Sequence, residues 1–127
     1  MFKFLYLPII ILFLSSCSAD YKKLSKGNYS SDNPFYNTLI NEYKKQADYE
    51  AKEMHDWNSA KLYSEKAIQS YEKKIIKPEP INKWNINDNE ISELSKAYDN
   101  LMLVYKDGLN KDPVNLAKAI VSLDCWA

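Results

Sequence analysis

The sequence predicts an all-α fold: two antiparallel helical hairpins, four helices in all, behind an N-terminal leader. Three observations carry this. Apolar residues recur every three to four positions over long stretches, which is the period of a helix with one buried face. Two cap-then-proline pairs, Asn33-Pro34 and Asp112-Pro113, mark helix starts. Glycine is almost absent, with only Gly27 and Gly108 in the chain, so a turn-rich sandwich is disfavoured.

The leader, residues 1–16, reads MFKFLYLPIIILFLSS. Lys3 supplies a charged head, Phe4 to Leu14 an apolar middle, and Ser15-Ser16 a small-residue cleavage site. This is the layout of a secretory signal peptide. The run is shorter than the ~20 apolar residues that a spanning helix needs, and Pro8 interrupts it. Leu14-Ser15-Ser16-Cys17 resembles the bacterial lipobox, in which Leu stands three positions before an obligatory Cys. The resemblance implies cleavage between Ser16 and Cys17, a diacylglycerol on the Cys17 thiol and an acyl chain on its new amino group. No other cofactor is expected. Several acyl chains anchor stably, at about 0.8 kcal/mol per buried methylene. Ser18 follows the cysteine, and the first Asp comes only at Asp20. In lipoproteins of this type that arrangement implies the outer membrane, facing the periplasm.

Residues 17–32 are polar and without a clean period, and read as a flexible lipidated tether. The helical domain is expected over 33–127. Its first helix, about 34–54, carries Phe35, Leu39, Tyr43, Ala47 and Ala51, widened by Ile40 and Met54. A break at His55–Asn58 lets Asp56 cap a second helix with Ala60, Tyr63, Ala67, Tyr71 and Ile75 inside and Lys61, Glu65, Lys66, Glu72 and Lys73 outside. The turn is short, so the pair should pack as a hairpin. A proline-containing link, 77–89, ends helix two at Pro78 and Pro80 and holds Ile81, Trp84 and Ile86, which should lie against the bundle. The third helix, about Glu90 to Leu109, shows Ile91, Leu94, Tyr98, Leu101 and Tyr105, and the fourth starts at Asp112-Pro113 with Leu116, Ala117, Ile120, Val121 and Leu123.

Charge excludes one class of partner. The chain has 17 basic and 17 acidic residues, and loss of Lys3 with the leader leaves one more acid than base. That is no footprint for nucleic acid. Every basic residue is Lys, so bidentate Arg clamps on phosphate or carboxylate are lacking. The single histidine, His55, stands in a turn and has no convergent ligands around it in the sequence to make a metal site. Cys125 has no activating base beside it; it could pair in a disulfide with a partner chain, stay buried, or mark a lost intramolecular bridge. No phosphate-binding Gly loop is present. The expectation is a non-enzyme with no catalytic residues and no small-molecule substrate.

Two resemblances add to this. Trp57 to Ile68, WNSAKLYSEKAI, resembles the second helix of a tetratricopeptide repeat, with Ala60 and Ala67 at its small positions and Trp57 at its turn aromatic. Asp48 stands where the first helix expects Gly, and the next similar hairpin comes much later than the repeat's ~34 residues. The order Tyr49-Glu50, Met54, Asp56-Trp57, Ala60 and then Asp124-Cys125-Trp126 resembles the N-terminal region of alphaproteobacterial lipoproteins related to the outer membrane protein A family. That resemblance implies a longer chain with a second cysteine and a peptidoglycan-binding domain, to which no residue here corresponds. Three functional expectations arise: a structural or interaction lipoprotein whose envelope-protein partner is unknown, an adaptor that assists assembly of other envelope proteins, or a shortened remnant of a peptidoglycan-associated lipoprotein. Tyr49, Trp57 and Trp84 are the expected interaction surface.

Overall fold

The computed structural model describes residues 18–126, and every regular element among them is helical. Five helices are present where four were expected. Helix α1 covers 18–26, α2 Pro34–Tyr49, α3 Trp57–Tyr71, α4 Asp88–Lys111 and α5 Pro113–Trp126, with a 3-10 turn at Ile81–Lys83. The expected cleavage site and lipidation site, Ser16 and Cys17, lie outside the described residues.

Helix α1 corrects the reading of a flexible tether over residues 18–26. Leu24 is fully buried in the main core, and Tyr21 packs against that core while donating its hydroxyl to Asp48 Oδ1 at 2.8 Å. Two docking residues in nine are too few for a legible stripe, but they suffice once a neighbouring helix supplies the other side. Gly27 closes α1, its N–H donating to Lys23 O at 3.0 Å. The Tyr29 ring occupies the space where a Cβ would stand on Gly27, so the turn needs glycine for close approach.

Helix α2 starts as its sequence dictates. Asn33 Oδ1 accepts from Phe35 N at 2.9 Å and from Tyr36 N at 3.3 Å, and Pro34 takes the position where no N–H is needed. Phe35, Leu39, Ile40, Tyr43 and Ala47 are buried. The α-ladder stops at Tyr49. Glu50–Met54 form a wider π turn, which ends at His55 with φ of 54°. The wider turn rotates its own residues away from the α-helical register, so Ala51 stays inside while Met54 turns outward, against expectation.

Helix α3 is capped by Asp56, whose Oδ1 accepts from Asn58 N and Ser59 N at 3.1 Å each. Ala47 of α2 and Ala60 and Ala67 of α3 have no exposed surface, and α2 and α3 pack along their lengths. Ser64 and Ser70 are buried because their hydroxyls donate back to Ala60 O at 2.6 Å and Lys66 O at 2.7 Å. Two expectations for α3 are corrected. It ends at Tyr71, which leaves Tyr71 half-exposed and Ile75 79 % exposed beyond it, and Ile76 is buried instead. Lys66, read as outward, is also buried.

The link lies on the bundle through Ile76 and Pro78, both buried. Helix α4 starts two residues before Glu90, with Asp88 and Glu90 in its first turn, where they face the positive end of the helix dipole. Only Leu94 of α4 is buried. Tyr105 ties the helix to the link and to α2: its hydroxyl donates to Ile76 O at 2.7 Å and its ring meets Phe35 edge-on. Asp112 accepts from Asn115 N at 3.3 Å and starts α5, whose Leu116, Ala117, Ile120, Val121 and Leu123 are buried. A Cβ on Gly108 would stand 3.3 Å from Leu116 Cβ, so this glycine sets the close approach of α4 to α5. The core therefore sits between α2, α3 and α5, and α4 packs mainly on α5.

Candidate functional site

Four features merit a functional reading: a buried ionic cluster, the aromatic corner at the π turn, a groove along α5, and a basic face on α1.

The cluster centres on Asp124, 1 % exposed. Its Oδ2 accepts from Lys66 Nζ and from Tyr43 OH, both at 2.7 Å, and its Oδ1 accepts from Glu79 N at 2.7 Å. Lys66 Nζ also donates to Lys77 O at 3.1 Å and lies 3.1 Å from Glu79 Oε1. Tyr63 OH donates to Asp124 O at 3.2 Å. One ammonium thus serves two carboxylates, and the Tyr43 ring lies below it at 5.5 Å. Burial, and next the Asp124 charge, hold the Tyr43 phenol well above its ordinary pKa. Burial does the same to Tyr63. Both Asp124 oxygens are engaged by groups of the fold itself, and the cluster joins α2, α3, α5 and the link. Its chemistry is that of a structural clasp. In the sequence Asp124 stands out only through its motif, Lys66 reads as an outer-face lysine and Glu79 as an ordinary link residue. The available signals were an acid one position after Leu123 on the inner side of α5 and a lysine three positions after Tyr63, at the edge of the stripe.

Cys125 forms no disulfide among the described residues and reaches the surface, in a groove with Glu42, Lys45, Gln46, Ser122 and Trp126. Desolvation first, and the Asp124 charge second, push its pKa up to about 11. A thiol so held is a poor nucleophile. His55 is exposed, and no group of three or more His, Cys, Asp or Glu able to hold a metal is found among the described residues.

Tyr49 and Trp57 flank the π turn and are 49 % and 43 % exposed. The ring packed on Trp57 is Tyr21 of α1, with centroids 6.1 Å apart. Trp84, the third expected surface residue, is half-buried in the link before α4, and its Nε1 is shielded without a partner. A second apolar surface lies elsewhere. Ala97, Leu101 and Val104 of α4 face Ala119, Leu123 and Trp126 of α5 along a groove. In a separate depression Lys22 and Lys26 of α1 lie beside Lys44, Asp48 and Lys52.

Compared with known proteins, the chain matches no family model, no curated protein and no solved structure at a significant level. No helix among the described residues is long and apolar enough to cross a membrane.

Proposed function

We propose that the protein is a non-enzymatic, lipid-anchored envelope protein on the periplasmic face of the outer membrane. Cys17 carries the diacylglycerol and N-acyl chains, and the helical domain has a structural or protein-interaction role. The observation that carries this reading is Leu14-Ser15-Ser16-Cys17 at the end of an apolar run with a charged head. Intact mass of the protein extracted from membranes tests it. A mass of residues 17–127 plus acyl chains supports the anchor, and an unacylated chain cut elsewhere refutes it.

A second reading is an adaptor for other envelope proteins. It is favoured by the apolar groove between α4 and α5, which ends at half-exposed Trp126, and by the small residues Ala60 and Ala67 at tetratricopeptide-like positions of α3. Exposed apolar surface of this kind suits an amphipathic helix of a partner. Val104 is 54 % exposed in the groove, so Val104→Glu should abolish crosslinking to an envelope partner without altering the fold. Crosslinking that persists in the variant counts against the groove.

A further inference from the structure

We propose that the lysine-lined face of α1 and α2 rests on anionic phospholipid head groups, a second and electrostatic contact beside the anchor; this rests on the reading of Cys17 as lipidated. Lys22, Lys26, Lys44 and Lys52 border one shallow depression, with Asp48 as the acid among them. Asp48 is already engaged, accepting from Tyr21 OH at 2.8 Å and lying 3.5 Å from Lys52 Nζ. Lys22, Lys26 and Lys44 form no ion pair among the described residues. Four lysines and one aspartate give a local charge of +3 in a chain whose total is zero. The face is therefore a real asymmetry of charge.

Its position supplies the rest. The described part of helix α1 runs from residue 18, next to the expected anchor in the sequence. At about 1.5 Å per residue, Lys22 lies about 6 Å and Lys26 about 12 Å along the helix from residue 18. The Debye length in physiological salt is about 8 Å, so Lys22 lies within it even if α1 stands upright on the anchor, and Lys26 comes within it when α1 lies along the bilayer. Helix α1 is fixed to the domain by Leu24 and Tyr21, which carries Lys44 and Lys52 along with it. Lys96, Lys106 and Lys118 belong to α4 and α5 and do not border the depression. A lipid anchor combined with a basic patch holds a membrane more firmly than either alone. It also orients the domain, with the α1 face towards the bilayer.

Lysine footprinting tests this on the acylated protein reconstituted in phosphatidylcholine vesicles with and without phosphatidylglycerol. Acetylation of Lys22, Lys26, Lys44 and Lys52 should slow roughly fivefold in the anionic vesicles, the partition gain of one lysine near such a surface. Lys96, Lys106 and Lys118 should be unchanged, and high salt should remove the protection. The double variant Lys22→Glu, Lys26→Glu changes only exposed side chains, so it should melt like the parent and lose the difference between vesicles. Equal rates on both vesicle types, or protection of the α4 lysines instead, overturn the proposal. The anchor is judged separately by intact mass. An acylated protein with no lipid-dependent footprint keeps its anchor and refutes the patch. If the protein carries no acyl chains, the same footprint is read after mixing it with vesicles: lipid-dependent protection then supports the patch, and its absence refutes it.

Discussion

Replacing Lys66 by Met tests the clasp. The substitution keeps an unbranched side chain, one atom shorter, and removes its ammonium. Asp124 keeps the hydroxyl of Tyr43 and the N–H of Glu79, but its carboxylate and that of Glu79 lose the cation they share. Breaking a buried ion pair by deleting one partner costs about 3–5 kcal/mol. The two surviving hydrogen bonds on Asp124 place the expected cost near the lower end, about 3 kcal/mol. A domain of about a hundred residues has roughly 5–15 kcal/mol of stability, so the loss is a large share of the whole. In urea, with a slope of about 1–2 kcal/mol per molar, the midpoint should fall by about 2 M with the slope unchanged. Far-UV circular dichroism reads the transition. Lys61→Met is the control, because Lys61 pairs with Glu65 at 3.3 Å on the surface with both side chains 40 % exposed, and such pairs contribute at most about 1 kcal/mol. A Lys66→Met midpoint no lower than that of the control would mean that the ammonium is solvated, and the clasp would be refuted.

Three further outcomes rest on the same core. Tyr43, Tyr63 and Cys125 hold their protons more tightly when folded, so their contribution to stability is whole below the ordinary values of about 9 to 10 and is lost as pH climbs through them. The melting temperature should therefore fall above about pH 9, and the part of the phenolate absorbance that belongs to Tyr43 and Tyr63 should appear only as the fold is lost; a flat profile into strong alkali would contradict the burial of these groups. A Cys125 pKa of about 11 against the ordinary 9 leaves about a hundredfold less thiolate near pH 8, so an aromatic disulfide reagent should label it about a hundredfold more slowly folded than in urea; equal rates would mean a solvated thiol. Leu24→Ala should cost about 2–5 kcal/mol and strip amide-exchange protection from 18–26 while α2 and α3 stay protected, whereas unchanged protection would mean that α1 does not depend on that contact.

Much of the fold was legible because it is encoded locally. Asn33, Asp56 and Asp112 announce helix starts through side-chain oxygens that reach backbone N–H groups two or three residues on. The stripe Phe35, Leu39, Tyr43, Ala47 states which side of α2 is buried without reference to any other helix. The leader and Leu14-Ser15-Ser16-Cys17 are likewise local patterns, read in a single pass along the chain. What a period cannot state is which helices become neighbours. Helix α1 has only Tyr21 and Leu24 to offer, and their burial depends on α2 and α3 already forming a surface. Lys66 reads as solvated in isolation, because a lone buried ammonium is prohibitively costly. It is buried because Asp124, 58 positions away, and Glu79 on the link converge on it. The basic face has the same origin, since Lys22 and Lys44 share a surface only after α1 docks. The sequence by itself determined four of the five helices, most of their inner faces and the candidate anchor. The tertiary structure decided the ionic clasp, the docking of α1 and the surfaces left outside, because charge compensation and burial arise between residues that are far apart along the chain.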